Sequence, residues 1–329
     1  MTQDNSITVP VLLGDHPKIR EVMRIVAKVS ASNSAVLIIG ESGTGKELVA
    51  RAIHNNSPRK NVSFQRINCS SIPEMQIENE LFGFEKGSCS GATSSEPGLI
   101  EMANNGTVFF EDISEIQMVV QSKLFRVIQD KQICRVGGRT NIPVDVRIIS
   151  ASNKALEPEI KQGNFRENLF YRLNVVSIFI PPLRERISDI AFLTNHFVKK
   201  FSEANCLDVD SISKPALNML QSYSWPGNVR QLESVIERAV LMANSSTIEN
   251  DDLPEEITSA HSDDNSEKIK FVLPVKGIDI EQLEKEMIKQ ALERVDWVIG
   301  KAAPLLGMTY KTLQYRIEKF SLKRQAQPK

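Results

Sequence analysis

The stretch AVLIIGESGTGKELVARAI, residues 35–53, decides the fold. An apolar run of strand length, Ala35–Ile39, leads into Gly40, Glu41, Ser42, Gly43, Thr44, Gly45, Lys46 and Glu47, and then into a segment with helical spacing. Strand, glycine-rich turn and helix in that order form the context of a phosphate-binding loop. The glycines let backbone N–H groups converge on phosphate oxygens, and the helix N-terminus adds the positive end of its dipole. Lys46 supplies a mobile positive charge for the β- and γ-phosphates. Glu47 stands where such loops usually carry the Ser or Thr that binds magnesium. The competing interpretation is an incidental glycine-rich turn, which the three glycines, the lysine and the flanking elements together disfavour.

Outward from this loop, apolar strands alternate with amphipathic helices, the pattern of a parallel sheet wrapped by helices. Strands are expected at Ala35–Ile39, Phe64–Asn68, Thr107–Phe110, Val146–Ser150 and Val176–Phe179. From Glu185 to about Ala243 the pattern is helical, broken at Trp225, Pro226, Gly227 and Asn228, and reads as a small helical lid. The expected organisation is a tail over 1–12, an α/β nucleotide-binding core over 13–180 and a lid over 181–244. An acidic linker over 245–277 and an all-α domain over 278–329 follow.

The bulk composition excludes several function classes. The 329 residues are 41% hydrophobic and 25% charged, an ordinary globular balance. No apolar run approaches the ~20 residues of a membrane helix and no signal peptide precedes the first strand, so a cytoplasmic protein is expected. Cys69, Cys89, Cys134 and Cys206 lie far apart and read as reduced thiols. The net charge of −1 conceals an acidic stretch from Glu249 to Glu267 and a basic one from Lys301 to Lys329. Only the C-terminal end is therefore expected to meet nucleic acid.

That end has three helical patterns. Ile280, Leu283, Met287, Ile288, Ala291, Leu292 and Val295 form one apolar stripe; a short helix follows near Lys301–Leu306. Gly307 and Met308 make a turn, and Thr309 caps a helix running to about Lys319, with Leu313, Ile317 and Phe320 inward. Tyr310, Lys311, Thr312, Gln314, Tyr315 and Arg316 are then the candidate DNA-reading residues, while Lys301, Lys319 and Lys323 are placed to meet phosphates. Pro304 is tolerable only near the first turn of its helix. A three-helix interaction module with a solvated basic face is the alternative.

GESGTGKELVARAIH (40–54), ELFGFEKG (80–87), FRENLFYRLNV (165–175), PPLRER (181–186) and WPGNVRQLE (225–233) together resemble the AAA+ domain of bacterial enhancer-binding proteins. These are the ATP-driven activators of RNA polymerase carrying sigma-54. The resemblance covers about residues 11–243, and the C-terminal helices are similar to the family's Fis-type helix-turn-helix. It implies an AAA+ P-loop core with a lid, ATP and Mg2+ as cofactors, and upstream DNA and sigma-54 polymerase as partners. Pairing of the DNA-binding domains as a dimer and a hexameric ring are also implied. Position by position it implies that Asn68 pairs with the catalytic carboxylate, that Asn153 is sensor I, and that Arg230 is sensor II. Arg166 and Arg172 would reach a neighbouring subunit's nucleotide, although isolated arginines at such positions more often make surface ion pairs. The usual N-terminal sensory domain is absent from the pattern, so control is expected through expression level or a regulatory protein in trans.

Two departures touch the functional centres. The Walker B strand ends in Glu111 and Asp112, where the family places Asp, for the metal, before Glu, for the attacking water. A catalytic group misplaced by about 1 Å can cost on the order of a hundredfold in rate, so ATP binding with weakened or absent hydrolysis is expected unless the backbone compensates. The sigma-54 contact loop, Gly-Ala-Phe-Thr-Gly-Ala in the family, is Gly87, Ser88, Cys89, Ser90, Gly91 and Ala92 here. Cys89 replaces the aromatic anchor, a loss typically worth a few kcal/mol at an interface. The loop either still works or no longer engages sigma-54. Three functional readings stay open: a sigma-54-type activator, an ATP- and DNA-binding regulator without sigma-54 remodelling, and a silent subunit of a mixed ring.

Overall fold

Pro17–Ser30 forms helix α1, started by Pro17 in its first turn and by the His16 side chain, which accepts from the Lys18 N–H at 3.3 Å. The protein is described here by a computed structural model that covers residues 12–88, 93–262 and 279–322. The chain divides into two units, Met1–Ser266 and Glu267–Lys329.

In the first unit, strand β1 (Val36–Ile39) feeds helix α2 (Lys46–Asn55) through the glycine-rich loop. Strands β2 (Phe64–Asn68) and β3 (Thr107–Glu111) follow, then helix α3 (Met118–Asp130), strand β4 (Arg147–Ser152), helix α4 (Glu167–Leu173) and strand β5 (Val176–Phe179). The five strands are parallel, in the order β2-β3-β4-β1-β5. Each matches an expected strand to within a residue or two at its ends. Successive residues point to opposite faces. Leu37, Val108, Phe110 and Ile148 enter one core; Val36, Ile38, Phe109, Ile149 and Ile178 enter the other. A parallel sheet covered on both faces must be apolar throughout, and β3 has Thr107–Phe110 wholly buried. The topology carries Gly40, Asn68, Glu111 and Asn153 to the carboxyl ends of neighbouring strands, where open α/β sheets bind ligands.

The lid holds helices α5 (Ser188–Asn205), α6 (Lys214–Ser222) and α7 (Asn228–Met242) around the fully buried Trp225, whose Nε1 donates to the Leu220 carbonyl at 2.7 Å. It continues beyond the expected boundary. Thr247–Ile248 pairs in parallel with the two-residue strand Ser211–Ile212, and helix α8 (Glu255–Ser262) follows. Ile248, Leu253 and Ile257 are buried in the lid core, so the first part of the 245–277 segment is folded lid. The acidic composition had masked those three apolar residues. The acids themselves are structural, with Glu249 and Asp252 forming a reciprocal capping box. Residues 263–278 of the expected linker lie outside the described residues. Among the described residues no helix is long and apolar enough to cross a membrane.

The second unit contains helices α9 (Ile280–Arg294), α10 (Ile299–Leu305) and α11 (Tyr310–Lys319). Ile288, Leu292, Ala302, Ala303 and Leu313 form its core, with Ile317 and Phe320 packed against it. The expected stripe is divided, because Ile280 is 75% exposed and Met287 42% exposed while Ile288, Ala291 and Leu292 are buried. Pro304 sits in the last turn of α10, not the first. The helix ends after the next residue, so the lost hydrogen bond to the Gly300 carbonyl affects one turn only.

Candidate functional site

The loop between β1 and α2 lines a cleft of about 700 Å³ with Lys46, Glu47, Arg66, Asn68, Ser70, Glu111, Asp112 and Arg230. Gly43 and Gly45 have φ of +77° and +102°. A Cβ on Gly43 would lie 2.2 Å from the Gly227 carbonyl oxygen, so glycine is required both by conformation and by the approach of the lid. Lys46 is buried, and its Nζ donates to the carbonyls of Gly40 at 2.8 Å and Glu41 at 3.0 Å. Burial lowers its pKa, with Asp112 and Glu111 opposing that shift. The ammonium is thus held inside the loop that a phosphate would enter.

The lid closes on the loop through several polar contacts. Arg184 donates to both carboxylate oxygens of Glu41, at 2.8 and 2.6 Å. This pairing holds the Glu41 carboxyl down at about 2, against an ordinary 4.5. Asn228 donates to Glu41 Oε2 at 3.1 Å and to the Ser42 carbonyl at 3.0 Å, and accepts from the Leu183 N–H at 2.7 Å. The N–H groups of Val229 and Arg230 both donate to the Gly43 carbonyl, at 3.0 and 3.3 Å. Arg230 Nη1 donates to Ser42 Oγ at 3.3 Å. Arg186, 1% exposed, donates to the Thr44 carbonyl at 3.3 Å and lines the same cleft. Thr44 Oγ1 in turn donates to the Glu41 carbonyl at 2.8 Å.

At the other end of the cleft, Glu111 closes β3 and Asp112 follows in the left-handed conformation, φ 53° and ψ 50°. Asp tolerates that conformation better than a longer side chain does, which gives the Glu-Asp order a local backbone logic. Glu111 Oε2 accepts from Arg66 Nε at 3.0 Å and Nη2 at 2.6 Å. Arg66 Nη1 also lies 3.1 Å from Glu47 Oε2. Asn68 does not bond Asp112 directly. The Ser70 hydroxyl lies between them, donating to Asn68 Oδ1 at 2.7 Å and lying 3.4 Å from Asp112 Oδ2. Cys69, buried beside these carboxylates, has its thiol pushed up to about 12, first by burial and then by Asp112 and Glu111.

The remaining candidates lie away from this cleft. Asn153 follows β4 at the same sheet edge and is exposed. Arg166 precedes α4, its N–H donating to Gln121 Oε1 at 2.8 Å and its Nε to the Met118 carbonyl at 3.3 Å. Arg172 is exposed and donates to Gln129 Oε1 at 3.4 Å. Neither arginine lines this chain's cleft. In the loop expected to contact sigma-54, Gly87 has φ +80° and Ser88 Oγ donates to the Glu85 carbonyl at 2.6 Å. Cys89, Ser90, Gly91 and Ala92 lie outside the described residues.

In the C-terminal unit Thr309 caps α11 as expected, its side chain accepting from the Thr312 N–H. Tyr310, Lys311, Thr312, Gln314 and Tyr315 are exposed. Arg316 departs from the expected reading face: it is half-buried and ion-paired with Glu284 of α9. Lys319 Nζ likewise donates to Glu281 at 2.7 Å. Lys323 lies outside the described residues.

Sequence reading left several cleft residues unassigned. Arg184 and Arg186 lie in the PPLRER run and Asn228 in WPGN, so their motifs were visible without a role. Arg66 and Ser70 had no motif signal, because their meaning depends on which strand lies beside β2.

Comparison with known proteins agrees with this geometry. Residues 12–179 match the sigma-54 interaction domain, 184–270 the AAA+ ATPase lid domain, and 279–320 the bacterial regulatory protein, Fis family. The chain is 42% identical over 315 residues to the regulatory protein AtoC of Escherichia coli, covering 94% of this chain and 68% of AtoC. It is 45% identical over 311 residues to the nitrogen fixation protein AnfA of Azotobacter vinelandii, covering 94% of this chain but 57% of AnfA. The crystal structure of NtrX from Brucella abortus in complex with ADP superposes with a TM-score of 0.71 at 33% identity, over 94% of this chain and 70% of that one. An AAA+ P-loop core, its helical lid and a Fis-type helix-turn-helix are thus joined in one chain, which belongs to the family of sigma-54-dependent transcriptional regulators.

Proposed function

We propose that the chain is an ATP-binding, sequence-specific DNA-binding transcriptional regulator. It would couple ATP binding or hydrolysis in an oligomeric ring to activation of RNA polymerase carrying sigma-54. The observation that carries this reading is the convergence of Lys46, the loop glycines and the lid's Arg230 on one cleft. Solved NtrX complexes with ADP and with ATP support a nucleotide as the occupant. The loop's amides and Lys46 would hold the phosphates, and Arg230 would leave Ser42 to meet them, drawing the lid inward. Asp112, with Ser70 and Asn68 beside it, is the carboxylate available to orient an attacking water.

Arg166 and Arg172, outside this chain's cleft, are proposed to serve a neighbouring subunit's nucleotide in a hexameric ring. Asn153 is proposed to sense the phosphate from the end of β4. Exposed Ile280 and Met287 on α9 support pairing of two DNA-binding modules, with Tyr310, Lys311, Thr312, Gln314 and Tyr315 toward upstream DNA. Arg316 is then a positioning residue for α11 through Glu284. A regulatory protein acting in trans is the proposed source of control. The family also implies Mg2+ at the positions of Glu47 and Glu111. As they stand these side chains do not fit that ion, because both carboxylates are held by Arg66.

That same arrangement favours a second reading, in which ATP is bound but sigma-54 is not remodelled, or the chain is a silent subunit of a mixed ring. ATP turnover, together with trapping of sigma-54 by a γ-phosphate mimic, separates the two. Turnover with a trapped complex supports the activator. Neither, with intact ATP and DNA binding, supports the second reading.

A further inference from the structure

Two positions flanking the phosphate loop carry a carboxylate where a P-loop protein would place its metal ligands: Glu47 after Lys46, and Glu111 at the end of β3. One guanidinium spans both. Arg66 reaches Glu111 through Nε and Nη2, at 3.0 and 2.6 Å, and Glu47 through Nη1 at 3.1 Å. Arg66 is 42% exposed and lines the cleft, whereas the Glu111 side chain is only 14% exposed. The bridge is fixed from both sides. Arg66 lies on β2 one pleat before Asn68, the residue in register with Glu111, and Glu47 is also bonded by Arg51, one turn further along α2, at 2.8 Å. Arg51 in turn stacks on the Phe64 ring of β2, 5.1 Å from its centroid.

We infer that Arg66 is a resident cation of the nucleotide site, which takes a nucleoside triphosphate without a divalent metal ion. This rests on the nucleotide-binding reading above and deepens it. A magnesium ion here would need an oxygen of Glu47 or Glu111 at about 2.0–2.1 Å, and both carboxylates already pair with the Arg66 guanidinium, whose positive charge opposes a second cation beside it. An arginine side chain stays charged in proteins, so the guanidinium does not vacate the site by losing its proton. It carries five N–H donors, two of which hydrogen-bond Glu111, while Nη1 lies 3.1 Å from Glu47. Donors on Nη1 and Nη2 remain for terminal phosphate oxygens, adding to the charge of Lys46 and Arg230 against the carboxylates of Glu47, Glu111 and Asp112.

The test is ATP binding to the full chain by titration calorimetry, in excess EDTA and in excess magnesium chloride. For the unaltered protein the two dissociation constants are expected to agree within about threefold. Arg66→Gln is expected to become magnesium-dependent, binding about tenfold or more weakly in EDTA than in magnesium. Arg66→Lys, which keeps the charge but cannot bridge both carboxylates, is expected to fall between. The ratio is internal to each protein, so any general weakening of a variant cancels. A tenfold preference for magnesium in the unaltered protein would overturn the inference, as would equal ratios in the unaltered protein and Arg66→Gln. Absence of ATP binding in both buffers would instead break the nucleotide-binding reading itself, and this inference with it.

Discussion

The two ends of the nucleotide cleft are built on different principles. At the loop end most contacts are accepted by backbone carbonyls: that of Gly43 accepts from the Val229 and Arg230 N–H groups, and those of Gly40 and Glu41 from the Lys46 ammonium. At the β3 end, the carboxylates are held by side chains: Glu111 and Glu47 by Arg66, with Ser70 between Asn68 and Asp112. Backbone geometry changes little with side-chain identity, so the loop end is tolerant of substitution. Side-chain geometry changes with a single methylene, so the order of Glu111 and Asp112 alters what that end can do. On the proposed function, binding and any hydrolysis in this cleft would therefore be separable by substitution.

The largest expected effect comes from restoring the family order with Glu111→Asp and Asp112→Glu together. Phosphate release should rise by on the order of a hundredfold, with ATP affinity changed only a few-fold, if about 1 Å of misplacement limits the reaction. High turnover in the unaltered protein would break the contrast between the two ends. Next is Lys46→Ala, which removes a charge-assisted contact at the loop end. ATP binding should weaken by about ten- to a hundredfold in calorimetry, while gel-shift affinity for DNA stays the same.

In the C-terminal unit the same division between reading and holding can be tested with two single variants. Lys311→Ala should lower specific DNA affinity by roughly tenfold and reduce the salt dependence of binding. Arg316→Ala should instead lower the melting temperature of the module through loss of Glu284, because its guanidinium is already engaged. A DNA-binding defect without loss of stability would return Arg316 to the reading face.

The smallest effect is a pH dependence. Glu41 titrates at about 2 in the folded protein against an ordinary 4.5, so its contribution to stability is complete above the ordinary value and is lost as pH falls toward 2. Melting curves between neutral pH and pH 3 should show the unaltered protein losing this contribution only over that acidic window. Arg184→Ala, which raises the Glu41 pKa back toward 4.5, should flatten that component. Identical profiles would mean that the clasp contributes nothing measurable, as many exposed ion pairs do.

The five main strands and the phosphate loop were legible because a buried parallel strand has to be apolar, and because a tight turn over phosphates has to contain glycine. The cap at Thr309 and the inward Leu313 were legible for equally local reasons. Contacts across distant segments were not: Arg184 and Glu41 lie 143 residues apart, and Arg66 acquires its partner only when β2 pairs with β3. The lid's extension through Ile257 was hidden for a different reason, since three buried apolar residues were outnumbered by acids. Ser70, whose hydroxyl lies between Asn68 and Asp112, has no pattern of its own in the sequence.

The two amides that grip the Gly43 carbonyl belong to the first turn of α7, which has 15 residues and therefore extends about 22 Å from that point. Gly43 is thus a fulcrum placed at one end of a rigid beam. A displacement of a few tenths of an ångström, as the loop tightens on a phosphate, would tilt the first turn and sweep the far end through a larger arc. The occupancy of a small pocket would in this way be written into the position of a distant lid surface, in the form of leverage and not of new bonds.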